Sequence, residues 1–376
     1  MNSRPAIKAI ILSAGISSRL GQFKPLLPLG QKTILEHVLS LYSSAGITDI
    51  RVVVGYRADA VIPVIRSIGA VPIVNPAYTH GMFSSVVAGI SELPLPCDAF
   101  FIHPVDIPLV RLRTITDLLK AFGNRTKDGI YYPAFMGKRG HPPLIPGMYV
   151  DSIRAWSGQE GLGGFLCELE SDAVEIPVAD QYILNDIDLP ADYEWALNCI
   201  ENYDIPSVDE CRELMKAAPD RVCRHCQTVA NLAERMGKAL NTTGCSLNIE
   251  LITAAAMVHD LARVRPDHAA AGAHILREML FPRVADIVEI HMDFPSREKA
   301  PVNEAEVVYL ADKLIQENQP VSVETRFAAG LQRYRTRPDI CQNIIRRMQQ
   351  AIESQQRIEA LLGYSVHQLQ HSASAE

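Results

Sequence analysis

The sequence predicts an α/β domain followed by an all-α domain, and three observations predict it. Short β-branched runs alternate with amphipathic stretches up to about residue 197. From about residue 203 onward, apolar residues recur only at helical spacing. The length of 376 residues fits two domains, at roughly 100–200 residues each. We therefore expect domains over 1–200 and 201–376, joined through "ENYDIPSVD" (201–209).

In chain order, the expected strands are "AIKAIILS", "DIRVVVG", "AVPIVN", "CDAFFIHPV", "GIYYPAF" and "DAVEIPV". Between them fall helices such as "TILEHVLSLYSSAG" (33–46), "MFSSVVAGISEL" and "LRTITDLLKAFG". Strand and helix alternating in this way give a mostly parallel sheet covered by helices. Such sheets take ligands beyond the carboxyl ends of their strands. The second half reads as helices over "VCRHCQTVANLAERMGKAL", "NIELITAAAMVHDLARV", "DHAAAGAHILREML", "NEAEVVYLADKLIQEN" and "PDICQNIIRRMQQAIESQQRIEALLGY", with no strand of conviction. The tail "SVHQLQHSASAE" (365–376) reads as a frayed end.

With 48% hydrophobic and 21% charged residues the composition is that of a globular chain. A net charge of -7 offers no basic footprint for nucleic acid, so none is expected as a partner. No apolar run approaches the roughly 20 residues that span a bilayer. The opening "IKAIILSAG" reads as a first strand entering a loop rather than a signal peptide, because glycine follows the short apolar run at once. A cytoplasmic protein is expected. Of the eight cysteines only Cys223 and Cys226 form a CxxC, without the second pair that a four-cysteine zinc site requires. Reduced, mostly buried thiols are the simpler reading.

The loop after the first strand, "LSAGISSRLGQFKPLLPLG" (12–30), places Ala14 and Gly15 where backbone N–H groups can approach phosphate oxygens. Arg19 and Lys24 add fixed positive charge for a triphosphate or departing pyrophosphate. A solvated loop can show these features too. The order of the whole stretch says more: it resembles the "LAAGxSxRMGxxKxLLPxxG" start of the nucleotidyltransferases that attach a nucleotide to molybdopterin. Ser13 stands in place of the second small residue and Leu20 in place of methionine.

Four later segments continue the resemblance. "NPAYTHGMFSSVVAGI" (75–90) is similar to the family's nucleobase-side segment, with Gly81, Met82 and Ser85 in place. "HPVDIPLV" (103–110) resembles its acidic strand end and "GKRGHPPLI" (137–145) the loop facing the pterin-side substrate. "NDIDLPADY" (185–193) resembles its "DIDTPED" segment, with Leu189 where threonine is usual. Together they span nearly all of residues 7–197 and are most similar to the molybdenum cofactor cytidylyltransferase branch. The resemblance implies a Rossmann-like sheet, a nucleoside triphosphate, which for that branch is CTP as the donor of CMP, and a molybdopterin-type acceptor, with a molybdoenzyme or its maturation factors downstream. Transfer needs Mg²⁺ to neutralise charge as pyrophosphate leaves, and Mg²⁺ takes carboxylate oxygens. Asp106 is the expected first ligand, completed by Asp186 or Asp188; either of that pair also reads as a turn or cap residue. His103 is expected to be a satisfied strand imidazole.

In the second half, "AAAMVHDLARVRPDH" sets His259 beside Asp260 in a run that otherwise calls for burial. On a helix, neighbours point about 100° apart, so the pair can present an imidazole and a bridging carboxylate to one metal site. His225, His268, His291 and Asp312 lie on the surrounding predicted helices. Burying such groups is costly unless they are paired or metal-bound. The order H, HD, H, H, D resembles the HD-domain metal-dependent phosphohydrolases over about 220–320, with spacing most like the helical di-iron type that hydrolyses dinucleoside polyphosphates. It implies one or two divalent ions held by His225, His259, Asp260, His268, His291 and Asp312. Mixed imidazole and carboxylate donors suit Fe, Mn, Zn or Ni. Arg263 and Lys313 are candidates for phosphate contact or for solvated surface, and His274 is expected on the surface.

The combined expectation is a bifunctional enzyme, with Arg19, Lys24, Asp106 and Asp260 carrying the chemistry. Its rivals are a sugar- or alcohol-phosphate nucleotidyltransferase, and a cofactor-delivery protein with a regulatory HD domain.

Overall fold

The computed structural model describes residues 5–125, 127–295 and 300–371. The chain divides into two compact units, Met1–Glu201 and Asn202–Glu376.

Twelve strands and sixteen helices are assigned among the described residues. The first unit holds β1 (Ile7–Ser13), β2 (Pro28–Leu29), β3 (Lys32–Thr33), β4 (Asp49–Val54), β5 (Val71–Val74), β6 (Ala99–Pro104), β7 (Ile130–Phe135), β8 (Lys138–Arg139), β9 (Leu144–Pro146) and β10 (Ala173–Pro177). Its helices are α1 (Ile34–Ser44), α2 (Ala58–Ser67), α3 (Met82–Ser91), α4 (Leu112–Gly123), α5 (Val150–Ala155), α6 (Gly161–Glu168) and α7 (Pro190–Glu201).

The main sheet runs β10-β7-β9-β6-β1-β4-β5, with β8 added to β7. β1 lies at its centre and pairs in parallel with β4 and β6. Its buried run Lys8–Ser13 suits a strand covered on both faces. The mostly parallel expectation holds, with two antiparallel additions, the short β8 on β7 and β9. β9 is inserted antiparallel between β6 and β7, matching Phe101 to Leu144 and Tyr131 to Leu144. The stretch read as a loop at 137–145 thus closes the gap between the two halves of the sheet. Helix α1 starts where Thr33 and Glu36 cap each other's backbone N–H groups. Helix α2, not among the expected helices, contains Pro63 and buries Val61 and Ile65.

The second unit holds α8 (Val208–Met215), α9 (Asp220–Thr242), α10 (Ile249–Val258), α11 (His268–Glu278), α12 (Pro282–Ile290), α13 (Glu304–Lys313), β11 (Ile315–Gln316), β12 (Gln319–Pro320), α14 (Val323–Arg333), α15 (Pro338–Leu362) and α16 (His367–His371). Helix α10 is central: Leu251, Ile252 and Ala254–Val258 are all buried, and it packs against α8, α9, α12 and α13. A helix apolar all round belongs in such a place.

Three expectations are corrected here. The helix through "HDLARV" stops at Val258, and Leu261, Arg263 and Arg265 instead bond back three residues in successive turns. Pro266 follows, and the residue before a proline disfavours helix. The second half is not wholly strandless, because β11 and β12 form a small hairpin. The tail is ordered as far as His371: Val366 is fully buried and the Leu369 carbonyl accepts from Arg235. Residues 372–376 of that tail lie outside the described residues. At the start of the second unit, Arg283 forks onto Asp204 and Asn202 donates to Glu250 at 2.8 Å.

Candidate functional site

The carboxyl ends of β1 and β6 deliver two loops to one cavity of about 390 Å³. Ala14, Gly15, Arg19, Lys24, Gly81, Met82, Ser85, Asp106 and Asp188 line it together. Asp186 does not belong to this lining and is exposed. The two aspartates are two residues apart, and of the pair it is Asp188 that accepts from Lys24.

Lys24 is the centre of the charge arrangement. Its buried ammonium donates to Asp188 Oδ1 at 2.9 Å and Asp106 Oδ2 at 3.3 Å. Arg19, three-quarters exposed, donates to Asp188 Oδ2 at 2.8 Å. Burial pushes the Asp106 carboxyl up even with Lys24 beside it, whereas the Lys24 hydrogen bond holds Asp188 down. Two carboxylates around one ammonium form a site into which a divalent cation fits, provided Lys24 yields its place. Ser17, held at φ 58°, accepts from the Lys24 backbone N–H at 3.3 Å and fixes the turn of the loop. Sequence reasoning did not single it out. Gly81 begins α3 at φ 95°, where other residues would be strained. Asn75 donates to Ser84 and Ser85, at 2.9 and 3.0 Å, and ties the preceding loop to α3.

A second cavity of about 530 Å³ shares Leu12, Met82 and Pro104 with the first. Its walls are largely carbon, from Phe83, Val86, Ile102, Leu162 and Leu166, with Tyr132, Arg139 and His141 among them. Glu170 and Glu175, both at 2.7 Å, already neutralise Arg139. Gly140 is obligatory here, because a Cβ would lie 2.4 Å from the Ile183 carbonyl oxygen. His103 is spent on structure, as expected. Its Nε2 donates to the Ile107 carbonyl at 2.9 Å and its Nδ1 accepts from Tyr42 at 2.9 Å.

In the second unit all six expected ligand residues converge. His225 comes from α9, His259 and His291 from the ends of α10 and α12, His268 from the start of α11 and Asp312 from α13. His225 Nε2 lies 3.1 Å from Asp312 Oδ1 and His259 Nε2 3.7 Å from the same oxygen. Asp260 Oδ1 lies 3.2 Å from His268 Nε2 and 3.6 Å from His291 Nε2. Asp260 is shared by two groups of ligand atoms, one with His225 and His259 and one with His268 and His291, each within 4.8 Å of one another.

The hydrogen bonds behind the rings fix which nitrogen faces the centre. His225 Nδ1 meets the Glu317 carbonyl at 2.8 Å, His259 Nδ1 that of Ala256 at 2.7 Å, and His291 Nδ1 that of Val288 at 2.6 Å. A carbonyl only accepts, so each Nδ1 carries a hydrogen and each ring turns its Nε2 inward. There the Nε2 atoms face carboxylate oxygens, and His225 Nε2 lies within hydrogen-bond distance of Asp312 Oδ1. His259 Nε2, Asp260 Oδ1 and His291 Nε2 are buried without a hydrogen-bond partner. Such orphaned polar atoms are costly to bury and are of the kinds that ligate a divalent metal. Burial pushes the Asp260 carboxyl up, but His268 and His291, then His259 and Arg263, outweigh it and hold it far below the usual range.

The site opens into a cavity of about 700 Å³ whose lining includes Arg221, Arg224, Arg263, Lys313, Arg326 and Arg347. Arg263 lies 3.0 Å from His268 Nε2 and 3.5 Å from Asp260 Oδ1. Lys313 is buried against Asp312 rather than solvated. His274, paired with Glu278 on the surface, stands apart as expected. Sequence reasoning missed Arg221, Arg224, Arg326 and Arg347, and also the β11–β12 hairpin whose turn supplies the Glu317 carbonyl to His225.

Comparison with known proteins agrees with both halves. A family model described as "MobA-like NTP transferase domain" matches residues 9–173, and one described as "HD domain" matches 222–316. The chain carries a MobA-like NTP transferase domain followed by an HD domain. The molybdenum cofactor cytidylyltransferase of Escherichia coli (strain K12) is 29% identical to it over 189 residues, covering 50% of this chain and 94% of that protein. Among solved structures, Rv0371c from Mycobacterium tuberculosis H37Rv is similar with a TM-score of 0.46 and 21% identity, covering 52% of this chain and all of that one. A nucleotidyl transferase from Methanothermobacter thermautotroptrophicus gives the same TM-score at 19% identity, covering 52% of this chain and 98% of that one. The two family models give the chain a nucleotidyltransferase domain and an HD domain, a domain type that binds divalent metals. No helix among the described residues is long and apolar enough to cross a membrane.

Proposed function

We propose that the NTP transferase domain moves CMP from CTP to the phosphate of a molybdopterin-type acceptor and releases pyrophosphate. The observation that carries this is the convergence of Arg19, Lys24, Asp106 and Asp188 on one cavity, beside a mostly apolar one that suits a flat ring system. Ala14 and Gly15 bring backbone toward the phosphates, and Gly81, Met82 and Ser85 border the nucleobase side. An acceptor phosphate oxygen attacks the α-phosphorus; that bond forms as the bond to the pyrophosphate oxygen breaks, and no protein nucleophile is required. Asp106 and Asp188 would hold Mg²⁺, which supplies charge neutralisation on the phosphates when bound. Lys24, released from the two aspartates, and Arg19 stabilise the charge that builds on the leaving group.

The HD domain, on the same reading, is a phosphohydrolase working through two divalent metals. His225, His259 and Asp312 would hold one ion and His268 and His291 the other, with Asp260 common to both groups. The metals would supply an activated water for attack on phosphorus. Arg221, Arg224 and Arg326 suit a substrate with several phosphoryl charges, which reaches beyond the metals into the cavity. A molybdoenzyme or its maturation factor is the proposed recipient of the cofactor, and the cytoplasm the proposed location.

A thermal-shift panel of CTP, GTP, ATP and UTP with Mg²⁺ tests the first half. CTP should raise the melting temperature most; no response to any of the four contradicts the reading. Phosphate release from nucleotides by the manganese- or iron-loaded protein tests the second half. No release from any phosphorylated nucleotide contradicts it.

A further inference from the structure

Lys313 is the buried charge at the HD centre that metal binding leaves unexplained. The residue is 5% exposed, and its ammonium donates to Asp312 Oδ2 at 2.5 Å and to the His291 backbone carbonyl at 3.0 Å. It also sits 4.9 Å above the Tyr309 ring. One side chain therefore occupies one oxygen of a proposed ligand and ties the backbone of another to it. The second oxygen of that carboxylate, Oδ1, is the one turned toward His225 and His259.

The geometry points to Lys313 as a positioning residue that holds Asp312 to a single metal-ligating oxygen and so limits the coordination number at that ion. The inference rests on the metal reading above and deepens it. A carboxylate can bind through one oxygen or two. With Oδ2 committed to an ammonium, only Oδ1 is left for the ion, and a coordination position stays open for water or substrate. The cation also offsets one of the two carboxylate charges at the centre and so opposes over-tight binding of the metal. A role in packing alone would need neither the charge nor the contact with Oδ2. The backbone of His291 is tied down at the same time, which keeps the two ligand groups in a fixed relation.

Cobalt titration of the full-length chain tests this, read by binding isotherm and visible absorption, because absorption by Co²⁺ weakens as its coordination number rises. Lys313→Met keeps the length and removes the charge. It should bind Co²⁺ at least about threefold more tightly, as the repulsion is lost, with a visible band severalfold weaker than the wild type. Lys313→Arg should restore most of the band. Should the methionine variant not fold, Lys313→Leu carries the same expectation, since it too leaves Oδ2 without a donor. A band unchanged in the folded variant, or binding weaker than in the wild type, overturns the proposal. A wild-type protein that takes up no Co²⁺ overturns instead the metal reading on which it rests.

Discussion

The Nζ of Lys24 lies 2.9 Å from Asp188 Oδ1, so the ammonium from the first loop occupies the place between Asp188 and Asp106 that a divalent cation would take. Replacing Lys24 by Met should lower kcat/KM for nucleotide transfer by roughly 10²–10³-fold, the usual cost of removing one preorganised charge. It should also tighten Mg²⁺ binding without nucleotide, since the competing cation is gone. Steady-state kinetics and isothermal titration check the two effects. Unchanged Mg²⁺ affinity would remove Lys24 from the metal's place.

Acid should destabilise the first unit through His103. Burial holds this imidazole down at about 3, below its ordinary value of 6.5, so it is neutral in the fold. The unfolded chain therefore binds more protons between those values, and stability present above about pH 6.5 is lost as pH falls. The loss is at most about 1.4 kcal/mol per pH unit. Urea melts at neutral and mildly acidic pH read it directly. His103→Gln should be less stable at neutral pH by roughly 1–3 kcal/mol, as the Tyr42 and Ile107 partners lose their match, with a flatter pH dependence.

Gly140→Ala should cost roughly 1–3 kcal/mol or more, because the added methyl meets the fixed Ile183 carbonyl. The same change should weaken acceptor binding before it alters nucleotide binding. A melt within experimental error of the wild type would mean that the close approach is not real.

Arg326→Ala and Arg224→Ala should raise the KM for a multiply phosphorylated substrate by about 3–30-fold, with kcat little changed and metal content intact. The effect should shrink in high salt, because these charges face an open cavity. An equal rise for a monophosphate would contradict the role in reaching several phosphates.

Much of this was legible in the sequence because the chemistry is periodic or ordered along the chain. The buried run of β1, the helical spacing of α9 and α13, and the H, HD, H, H, D order all survive in three dimensions. What the sequence hid is set by tertiary contact. β9 reads as a loop because Pro142, Pro143 and Pro146 surround only two strand formers, yet β6 and β7 supply its partners. Pro63 masks α2 in the same way. Helix periodicity carried α10 past Val258, where the chain in fact turns so that His259 and Asp260 can face one point. The choice of Asp188 over Asp186 depends on where Lys24 lies, which no local pattern shows. Apart from Arg263, the arginines of the HD cavity come from α9, α14 and α15, whose convergence is a property of the fold alone.

Counting metal ions on the full-length chain tests the central claim most directly. After reconstitution with manganese or iron and exhaustive dialysis, elemental analysis should find about two ions per chain in the wild type, as expected for two ligand groups that share one carboxylate. Asp260→Ala should retain neither. A wild-type chain that holds no metal, or an Asp260→Ala chain that keeps both ions, would contradict the account.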